Sequence, residues 1–465
     1  MILPQGSTIV ALSYVLKTPH RYLSLLGECP QEHSKGVPMT IKVAELFAGI
    51  GGFRVGFEAA NELLPQFAGY KPQRDEKYFD VVWSNQWEPG EKAQHASRVY
   101  EHRFGSQGHS NEDVSKVDPQ SVPKFDVLVG GFPCQDYSVA KPLSKADGLE
   151  GKKGVLWWDI HRFIKSQKPR MAILENVDRL LVSPSTQRGR DFAIMLATLS
   201  DLGYAVEWRI INAAEYGFAQ RRRRIFIIAH RKGTEGYREI DESAHDALIS
   251  EGLIPLSFPA QPETLTPDSF LLEGEVWEMS ENFNKGKAKK SPFLNAGVCI
   301  NRRVTTQRVI PEFEGKAATL KTVLVDEEVV PEDYFISEQE LLVWKQHKGA
   351  KRILRTKKDG FQYEYAEGAV GFPDSPDKPS RTIITSEGGR TPSRFKHVVE
   401  TPSGRFRRLM PVELEQLSGF PKEHTNLPGI TDSRRAFFIG NALVTGIVEQ
   451  LAFNIWKYDF LERAR

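Results

Sequence analysis

Residues 42–64 read KVAELFAGIGGFRVGFEAANELL. The apolar run at 42–46 predicts a buried strand, residues 47–52 a tight glycine turn, and residues 53–64 a helix. Glycines let the backbone approach a ligand closely, and a helix N-terminus offers unpaired N–H groups. The unit therefore indicates the start of a nucleotide-binding α/β sheet, although its turn is not the GxGxxG pattern.

The alternation of strand and helix continues along the chain. Apolar runs and amphipathic patterns predict strands at 79–84, 126–129, 171–174 and 205–212, a helix starting at 154 and another at 190–202. Such an alternation predicts a doubly wound, Rossmann-like α/β sheet, which binds its ligands at the carboxyl ends of the strands. The residues at those strand ends therefore carry the functional interpretation.

Side chains suited to a nucleoside follow the second strand. Gln86 or Glu88 stands where the end of strand two binds ribose hydroxyls in such sheets, and Trp87 offers a face for an adenine ring. Asp113, further along, is an acceptor for an exocyclic amine. An ordinary helix start with a buried Trp87 is the alternative.

Cys134 is the candidate nucleophile. The stretch at 127–138, VLVGGFPCQDYS, breaks a strand with glycines and a proline, which predicts that the thiol lies on a loop past the strand's carboxyl end. An unpaired cysteine is more often a small, buried apolar residue than a nucleophile, so other motifs must decide which role Cys134 has. Cys29, Cys134 and Cys299 have neither disulfide nor metal-site spacing, so no metal is expected and a reducing cytosol fits best.

Acidic and basic side chains are expected at the same sheet edge. The next strand ends in ENV at 175–177, and poor solvation there would raise the pKa of Glu175 and let it act as an acid. The later run QRRRRIFIIA at 220–229 alternates so that one strand face carries Gln220, Arg222 and Arg224. A basic surface strand is the alternative for any one arginine.

Composition and charge limit the classes of protein to which this chain can belong. A chain of 465 residues, 40% hydrophobic and 26% charged, is globular and long enough for two domains. The early apolar run at 8–16 is too short to cross a bilayer, which predicts a soluble, cytoplasmic protein without a membrane partner. Residues 239–281 hold eleven acids and no Lys or Arg, whereas 285–310 hold seven Lys or Arg and no acid. This switch predicts a segment that faces a polyanion, with two ordinary solvated faces as the alternative.

The motifs FAGIGG, PCQ, ENV, QRRRR and a late GNA occur in this order from about residue 42 to the C-terminus. In this order they resemble the DNA (cytosine-5) methyltransferase family. The resemblance implies a Rossmann-like S-adenosylmethionine-dependent sheet with a second, smaller target-recognition domain. The implied divisions are an N-terminal extension at 1–39, a catalytic domain at 40–240, a target-recognition domain at 241–425, and a returning C-terminal segment at 426–465.

The resemblance also assigns site residues. Catalysis is implied for Cys134, Glu175, Arg222 and Arg224. Binding of S-adenosyl-L-methionine is implied for Phe47, Ala48, Gly49, Ile50, Gly51, Gly52, Gln86, Trp87, Asp113, Val114, Pro133, Leu156, Asn441 and Ala442. Gln86 stands where the family usually has Glu, so lower cofactor affinity is expected, because a neutral amide gives no charge-assisted hydrogen bond.

The implied chemistry explains these residue types. Addition of the Cys134 thiolate to cytosine C6 breaks the aromatic conjugation and makes C5 nucleophilic. A protonated Glu175 at N3 and the Arg224 guanidinium at O2 would stabilise the charge that develops. The target cytosine must leave the stacked duplex to be reached.

Residues for DNA contact are implied along the rest of the chain: Gln135, Ser138, Gln220, Arg302, Arg303, Arg390, Arg394 and Lys396. Arg222, Arg302 and Arg303 are expected to contact phosphates. The motif-free segment at 285–399 is expected to read flanking bases through the loop at 386–396, with an exposed hinge loop as the alternative.

The expected protein is a monomeric bacterial or phage enzyme that acts on double-stranded DNA beside a cognate restriction endonuclease. A tRNA cytosine-5 methyltransferase would share the catalytic motifs, and a non-catalytic DNA-binding relative is a second alternative. A nicotinamide-dependent dehydrogenase explains the glycine turn but not the other motifs in order.

Overall fold

The computed structural model describes residues 40–67, 77–132, 156–286, 290–356 and 360–464. The chain divides into two compact units. Among the described residues, the sheet unit comprises 40–216, 223–315 and 443–464, and the small unit comprises 217–222 and 316–442. The second stretch of the small unit thus begins at residue 316, whereas the target-recognition domain was expected to begin at residue 241. The catalytic and target-recognition roles of the two units stay predictions.

A ten-stranded sheet organises the sheet unit. Its strands are β1 Ile41–Leu46, β2 Phe79–Asn85, β3 His109–Ser110, β4 Val127–Gly131, β5 Met171–Asn176, β6 Tyr204–Asn212, β7 Arg223–Arg231, β9 Asp268–Leu271, β10 Ala296–Ile300 and β11 Arg303–Gln307. They lie in the order β3-β2-β1-β4-β5-β7-β6-β10-β11-β9. The first five are parallel, and β7 runs antiparallel between β5 and β6. This arrangement confirms the predicted doubly wound, Rossmann-like sheet.

The other described strands form two-stranded pairs: β8 Ala260–Pro262 with β12 Val309–Pro311, β13 Lys351–Thr356 with β14 Gln362–Glu367, and β15 Val398–Glu400 with β16 Phe406–Arg408. The helices are α1 Gly52–Phe67, α2 His95–Phe104, α3 Leu156–Gln167, α4 Arg190–Asp201, α5 Glu235–Glu242, α6 Leu253–Ser257, α7 Val276–Asn282, α8 Glu338–Lys348, α9 Pro411–Leu417, α10 Asp432–Asn441 and α11 Thr445–Ala464.

Single helical turns complete the described secondary structure, at Val114–Lys116, Pro119–Ser121, Asp178–Val182, Ala213–Tyr216, Ala244–Asp246, Ala247–Glu251, Leu320–Thr322, Glu327–Val329 and Glu332–Tyr334.

Continuous apolar runs explain the central strands. All six residues of β5 are buried, and β1 exposes only Lys42. Parallel strands covered on both faces need such runs, whereas half-exposed strands alternate. Helix α11 packs on α1, where a Cβ atom on Gly56 would lie 2.5 Å from Val448 Cβ. The missing side chain at Gly56 therefore lets the two helices approach closely.

Buried ion pairs lie inside the small unit. The Arg407 guanidinium lies 2.7 Å from a Glu413 carboxylate oxygen, and the Arg435 guanidinium lies 3.0 Å from Glu415. Removing one partner of such a pair leaves an uncompensated buried charge and destabilises a fold by roughly 3–5 kcal/mol. The packing of this unit thus depends on its charges.

One described stretch, Asp432–Tyr458, is apolar and long enough to cross a membrane, with a mean hydropathy of 1.5. It covers α10 and most of α11, and 56% of its most apolar window is buried inside the protein. A core helix passes the same test, so this stretch is weak evidence for a membrane span.

Candidate active site

The glycine turn after β1 depends on left-handed backbone conformations. Phe47, Gly49 and Gly51 have φ angles of 54°, 56° and 86°. The Gly51 N–H donates to the Ala48 carbonyl at 2.8 Å, and a Cβ atom on Gly51 would lie 2.3 Å from the Phe104 ring. The turn thus needs glycine at position 51 and leads directly into α1.

Gln86 supports this turn from the end of β2. Its buried Oε1 accepts the Gly49 N–H at 2.7 Å, which fixes the turn and uses the acceptor that was expected to bind the ribose. The neighbouring Trp87 is 37% exposed, which does not fit the alternative of a buried tryptophan. Gln86 is therefore a residue that shapes the site, and Trp87 lies open beside it.

The other described residues of the implied cofactor site follow β3 or lie at an end of a later helix. The Asp113 carboxylate accepts from the Ser115 N–H at 3.1 Å and hydroxyl at 2.8 Å. Val114 is buried, and Leu156 is the first residue of α3. Asn441 and Ala442 end α10 in the small unit. The glycine turn, Gln86, Trp87 and Asp113 thus share one edge of the sheet.

Glu45, in β1, underlies the same turn. It is fully buried, accepts a hydrogen bond from the Tyr100 hydroxyl at 3.1 Å, and bonds backbone groups of Phe53 and Arg54 in the first turn of α1. Burial raises the pKa of Glu45 to about 8. The carboxyl group thus joins β1, α1 and α2 directly beneath the turn.

Glu175 and Arg224 face each other at the carboxyl end of β5. Arg224 Nε lies 2.8 Å from Glu175 Oε1, and the two side chains are 16% and 9% exposed. A Cβ atom on Gly131, the last residue of β4, would lie 3.0 Å from Glu175 Oε2. The predicted catalytic acid and cation therefore lie together, against the end of the strand that precedes Cys134.

Asn176 connects the same two strand ends. Its Nδ2 donates to the Phe132 carbonyl at 3.0 Å, and its Oδ1 accepts the Val177 N–H at 2.8 Å. Phe132 is the second residue before Cys134 in the sequence. Asn176 therefore links the ends of β4 and β5, beside the candidate acid Glu175 in the same ENV motif. The sequence pattern did not reveal this role. The site residues Pro133, Cys134, Gln135 and Ser138 lie outside the described part of the chain.

Gln220 and Arg222 have internal partners in the small unit. Gln220 is fully buried and bonds the Ile383 N–H, the Leu417 carbonyl and the Ser418 hydroxyl. Arg222 is buried and donates to the carbonyls of Ile383 at 3.3 Å and Gly440 at 2.9 Å. The expected DNA contacts of Gln220 and Arg222 do not fit these positions, because a buried side chain bonded to backbone cannot reach a phosphate.

Arg302 and Arg303 lie at the wrong edge of the sheet for the expected phosphate contacts. Cys299 of β10 pairs with Val206 near the start of β6, so the β10–β11 turn lies opposite the carboxyl ends of the parallel strands. Arg302 Nε also lies 2.7 Å from Asp201 Oδ1 in a two-pronged ion pair, whereas Arg303 is exposed. The basic segment at 285–310 is therefore separated from the candidate active site by the length of the strands.

Arg394 and Lys396 stabilise the loop that they were expected to project from. The buried Lys396 Nζ donates to the carbonyls of Gly389 and Thr391 at 2.7 Å each, and burial lowers the pKa of this amine. Arg394, 12% exposed, donates to backbone carbonyls. Because both side chains are largely buried, they do not fit the expected role of contacting DNA bases. Arg390 is 73% exposed, 2.7 Å from Asp333, and its DNA contact stays a prediction.

The glycine turn, Gln86 and Glu175 lie at the carboxyl ends of strands in a Rossmann-like sheet, and comparison with known proteins shows the family. A family model described as C-5 cytosine-specific DNA methylase matches residues 41–457. The chain therefore belongs to the C-5 cytosine-specific DNA methylase family, as the order of its motifs predicted. Its predicted enzyme class, a DNA cytosine-5 methyltransferase, is confirmed by the same match.

Two relatives span nearly the whole chain. The type II methyltransferase M.Sau3AI of Staphylococcus aureus is 40% identical over 90% of this chain and 96% of its own length. The type II methyltransferase M.HhaI of Haemophilus parahaemolyticus is 30% identical over 89% of this chain and 94% of its own. A solved structure of DNMT2 from Spodoptera frugiperda covers 90% of this chain and 100% of that one, with a TM-score of 0.53 at 12% identity. This last likeness supports the fold alone.

Proposed function

We propose that this protein transfers a methyl group from S-adenosyl-L-methionine to C5 of a cytosine flipped out of double-stranded DNA, through a covalent adduct between Cys134 and C6. The proposal rests above all on the ion pair of Glu175 and Arg224, with 2.8 Å between Nε and Oε1, beside the end of β4. N3 and O2 are neighbouring acceptors on cytosine, so a carboxyl and a guanidinium held side by side match them.

The described residues fit S-adenosyl-L-methionine. A Cβ atom on Gly49 would have only the Phe47 carbonyl within 4.0 Å, so the turn leaves open space next to the helix N-terminus. Trp87 offers an exposed face for the adenine ring, and Asp113 offers a carboxylate for its amine. Gln86 would present its amide nitrogen to the ribose, because Gly49 uses its oxygen. When bound, this group supplies the electrophilic methyl that C5 accepts.

The chain's own residues would prepare the base. The Cys134 thiolate forms a bond to C6, and the electron pair of the broken C5–C6 π bond moves towards N3 and O2. Glu175 would stabilise it at N3 with a proton that its carboxyl first takes up from solvent as the base enters, and Arg224 would stabilise it at O2. After methylation, loss of the C5 proton and departure of the Cys134 sulfur restore the ring. Base flipping opposes the reaction by a few kcal/mol, which contacts to the duplex must offset.

The two units would have different functions in the reaction. The sheet unit holds the candidate cofactor and catalytic residues, and we assign the reading of flanking DNA to the small unit. Arg222 and Gln220 act as positioning residues there, because they fix Ile383 and the ends of α9 and α10 from within. The type II relatives support a cognate restriction endonuclease as partner. That the enzyme is monomeric and cytoplasmic is part of the proposal.

Parallel assays on duplex DNA and on tRNA test the substrate. Labelled methyl from S-adenosyl-L-methionine should enter duplex DNA and be recovered as 5-methylcytosine, with at most trace labelling of tRNA. The long motif-free segment between the arginine run and α9 favours duplex DNA over tRNA as the substrate, because an enzyme that recognises a DNA sequence needs a segment to contact the flanking bases. Methylation of tRNA alone would contradict the proposal and favour the RNA-modifying alternative.

Replacing Trp87 with alanine should weaken binding of S-adenosyl-L-methionine by roughly 1–2 kcal/mol, or about 5- to 30-fold, because aromatic stacking and burial are removed. Titration calorimetry measures the change. Trp277→Ala is a matched control, since Trp277 is similarly exposed, at 47%, but lies on α7. Equal affinity of the Trp87 variant and the wild type would remove Trp87 from the site.

A further inference from the structure

Helix α2 presents two aromatic rings to the glycine turn that leads into α1. Tyr100 and Phe104 lie one helical turn apart, with 4.8 Å between their ring centroids. A Cβ atom on Gly51 would lie 2.3 Å from the Phe104 ring and 3.3 Å from the Tyr100 ring. The backbone of the turn therefore packs directly against both rings.

Polar contacts hold the Tyr100 ring in place. Tyr100 is fully buried, its hydroxyl donates to Glu45 Oε2 at 3.1 Å, and the same hydroxyl accepts from Arg54 Nη1 at 3.4 Å. The Arg54 guanidinium also lies 4.6 Å from the centroid of the Phe104 ring. Because Glu45 belongs to β1 and Arg54 to α1, the rings of α2 are joined to both elements that flank the turn.

His109 connects the same tyrosine to the strand that precedes Gln86. Its imidazole stacks on the Tyr100 ring, with 4.6 Å between the centroids and 14° between the planes. Its two ring nitrogens lie 2.8 Å from the hydroxyls of Ser84 in β2 and Ser97 in α2. Burial lowers the pKa of His109 to about 4, so the neutral ring has one donor and one acceptor nitrogen. A hydroxyl can donate or accept, so both nitrogens find a partner.

The β2–β3 pair also places Gln86. His109 in β3 lies opposite Ser84 in β2 in a parallel register. The Ser110 carbonyl accepts the Gln86 N–H at 3.0 Å, and Gln86 Oε1 accepts the Gly49 N–H at 2.7 Å. A closed set of contacts therefore runs from α2 through His109 and Gln86 back to the glycine turn.

The turn depends on its neighbours for its shape. Phe47 has a φ angle of 54°, a left-handed conformation that a bulky side chain adopts only where surrounding contacts impose it. A turn that loses such contacts spends less time in the arrangement that binds a ligand, and its apparent affinity falls by the same fraction. Contacts behind the turn can therefore control affinity without touching the ligand.

We propose that Tyr100 and His109 are positioning residues for S-adenosyl-L-methionine, which hold the glycine turn and Gln86 in the arrangement that receives it. The inference rests on the proposed function, because it takes this cofactor as the ligand of the turn. Ordinary core packing makes a different prediction, since it would lower the stability of the protein and leave the affinity of the folded protein unchanged.

Tyr100→Phe is the test variant, because it keeps the ring and removes only the hydroxyl. Tyr204→Phe is the matched control. Tyr204 is also buried in the sheet unit, and its hydroxyl donates to the Pro169 carbonyl at 2.7 Å. It begins β6, at the opposite edge of the sheet from the turn. Titration calorimetry measures affinity for S-adenosyl-L-homocysteine, the cofactor without its methyl group, and hydrogen exchange of the ligand-free protein measures the order of residues 47–53.

Tyr100→Phe should bind S-adenosyl-L-homocysteine about 3- to 10-fold more weakly, the range for loss of a buried hydrogen bond. Amides of residues 47–53 should exchange faster in the ligand-free variant than in wild type. The KM for S-adenosyl-L-methionine should rise by more than kcat falls, while the KM for duplex DNA stays the same. Tyr204→Phe should lower the melting temperature without any of these changes.

Wild-type affinity and exchange in Tyr100→Phe would overturn the inference. An equal loss of affinity in Tyr204→Phe would also overturn it, because the effect would then come from general destabilisation. Failure of the proposed function looks different, since the wild type would then not methylate duplex DNA, whatever the affinities of the variants.

Ser84→Ala supplies a second test that does not depend on the folding of Tyr100→Phe. It removes one hydroxyl partner of His109 and leaves both aromatic rings of α2 in place. Affinity for S-adenosyl-L-homocysteine should again fall and residues 47–53 should again exchange faster. Unchanged affinity and exchange in a folded Ser84→Ala variant would remove His109 from the positioning role.

Discussion

Cys134→Ser is expected to abolish methyl transfer while binding of duplex DNA and S-adenosyl-L-methionine stays nearly intact. A hydroxyl fills the space of the thiol, but it is far less ionised and does not add to C6. Single-turnover methylation should fall by several orders of magnitude, because loss of a covalent nucleophile removes the step on which the others depend. Filter binding and calorimetry on the same preparation show whether the two binding steps survive.

Cys299→Ser is the matched control for that variant. Cys299 is buried in β10, and burial raises the pKa of its thiol to about 12, so it holds almost no thiolate at neutral pH. We expect a normal turnover number for this variant. Normal turnover by Cys134→Ser, or loss of turnover in Cys299→Ser with the fold intact, would contradict the assignment of the nucleophile.

Glu175→Gln is expected to slow single-turnover methylation by roughly 10²- to 10⁴-fold, the range for loss of a positioned general acid. The amide keeps the shape of the side chain, but it cannot take up a proton and pass it to N3 when the base is bound. Without the base, it also removes the negative partner of Arg224. Affinity for S-adenosyl-L-methionine should change little, because Glu175 belongs to the base-binding part of the site. Rapid-quench kinetics at saturating cofactor measure the effect.

Asp178→Asn provides the control at the same sheet edge. Asp178 lies three residues further along and forms a comparable ion pair, with 3.3 Å between its Oδ2 and Arg223 Nε, but both side chains are solvent-accessible. The same change of charge should therefore alter the rate less than about twofold, in line with a weak surface pair. A Glu175→Gln variant as fast as Asp178→Asn would make Glu175 a structural residue.

Local patterns were enough to predict the central strands of the sheet, whereas β9, β10 and β11 lie in the segment that was assigned to target recognition. The predicted strand at 171–174 is β5, Met171–Asn176, and the predicted helix at 190–202 is α4, Arg190–Asp201. These predictions succeed because a strand covered on both faces needs an unbroken apolar run, which is visible in any short window. The motif order placed Glu175 at the correct sheet edge for the same reason, since a residue after a buried strand has few other positions.

Side-chain partners could not be predicted in this way. Arg222, Arg302 and Arg394 are all arginines in basic or motif-free sequence, yet they bond Gly440, Asp201 and Gly349, which lie far away along the chain. Charge in a sequence does not show whether a guanidinium faces solvent or a buried carbonyl, because both positions satisfy its donors.

Gln86 illustrates the same limit within the active site. Its place after β2 was predictable from the pattern, but its bond to the Gly49 N–H depends on how two distant turns meet in three dimensions.

Peptide mapping of the protein trapped on duplex DNA that contains 5-fluorocytosine shows which residue, if any, attacks the base. Fluorine at C5 cannot leave as a proton does, so the final elimination fails and the sulfur stays bonded to C6. We predict one covalent adduct, dependent on S-adenosyl-L-methionine for its stability, on the peptide that contains Cys134. The absence of an adduct on duplex DNA, or an adduct on the peptide of Cys29 or Cys299, would contradict the covalent mechanism assigned to Cys134.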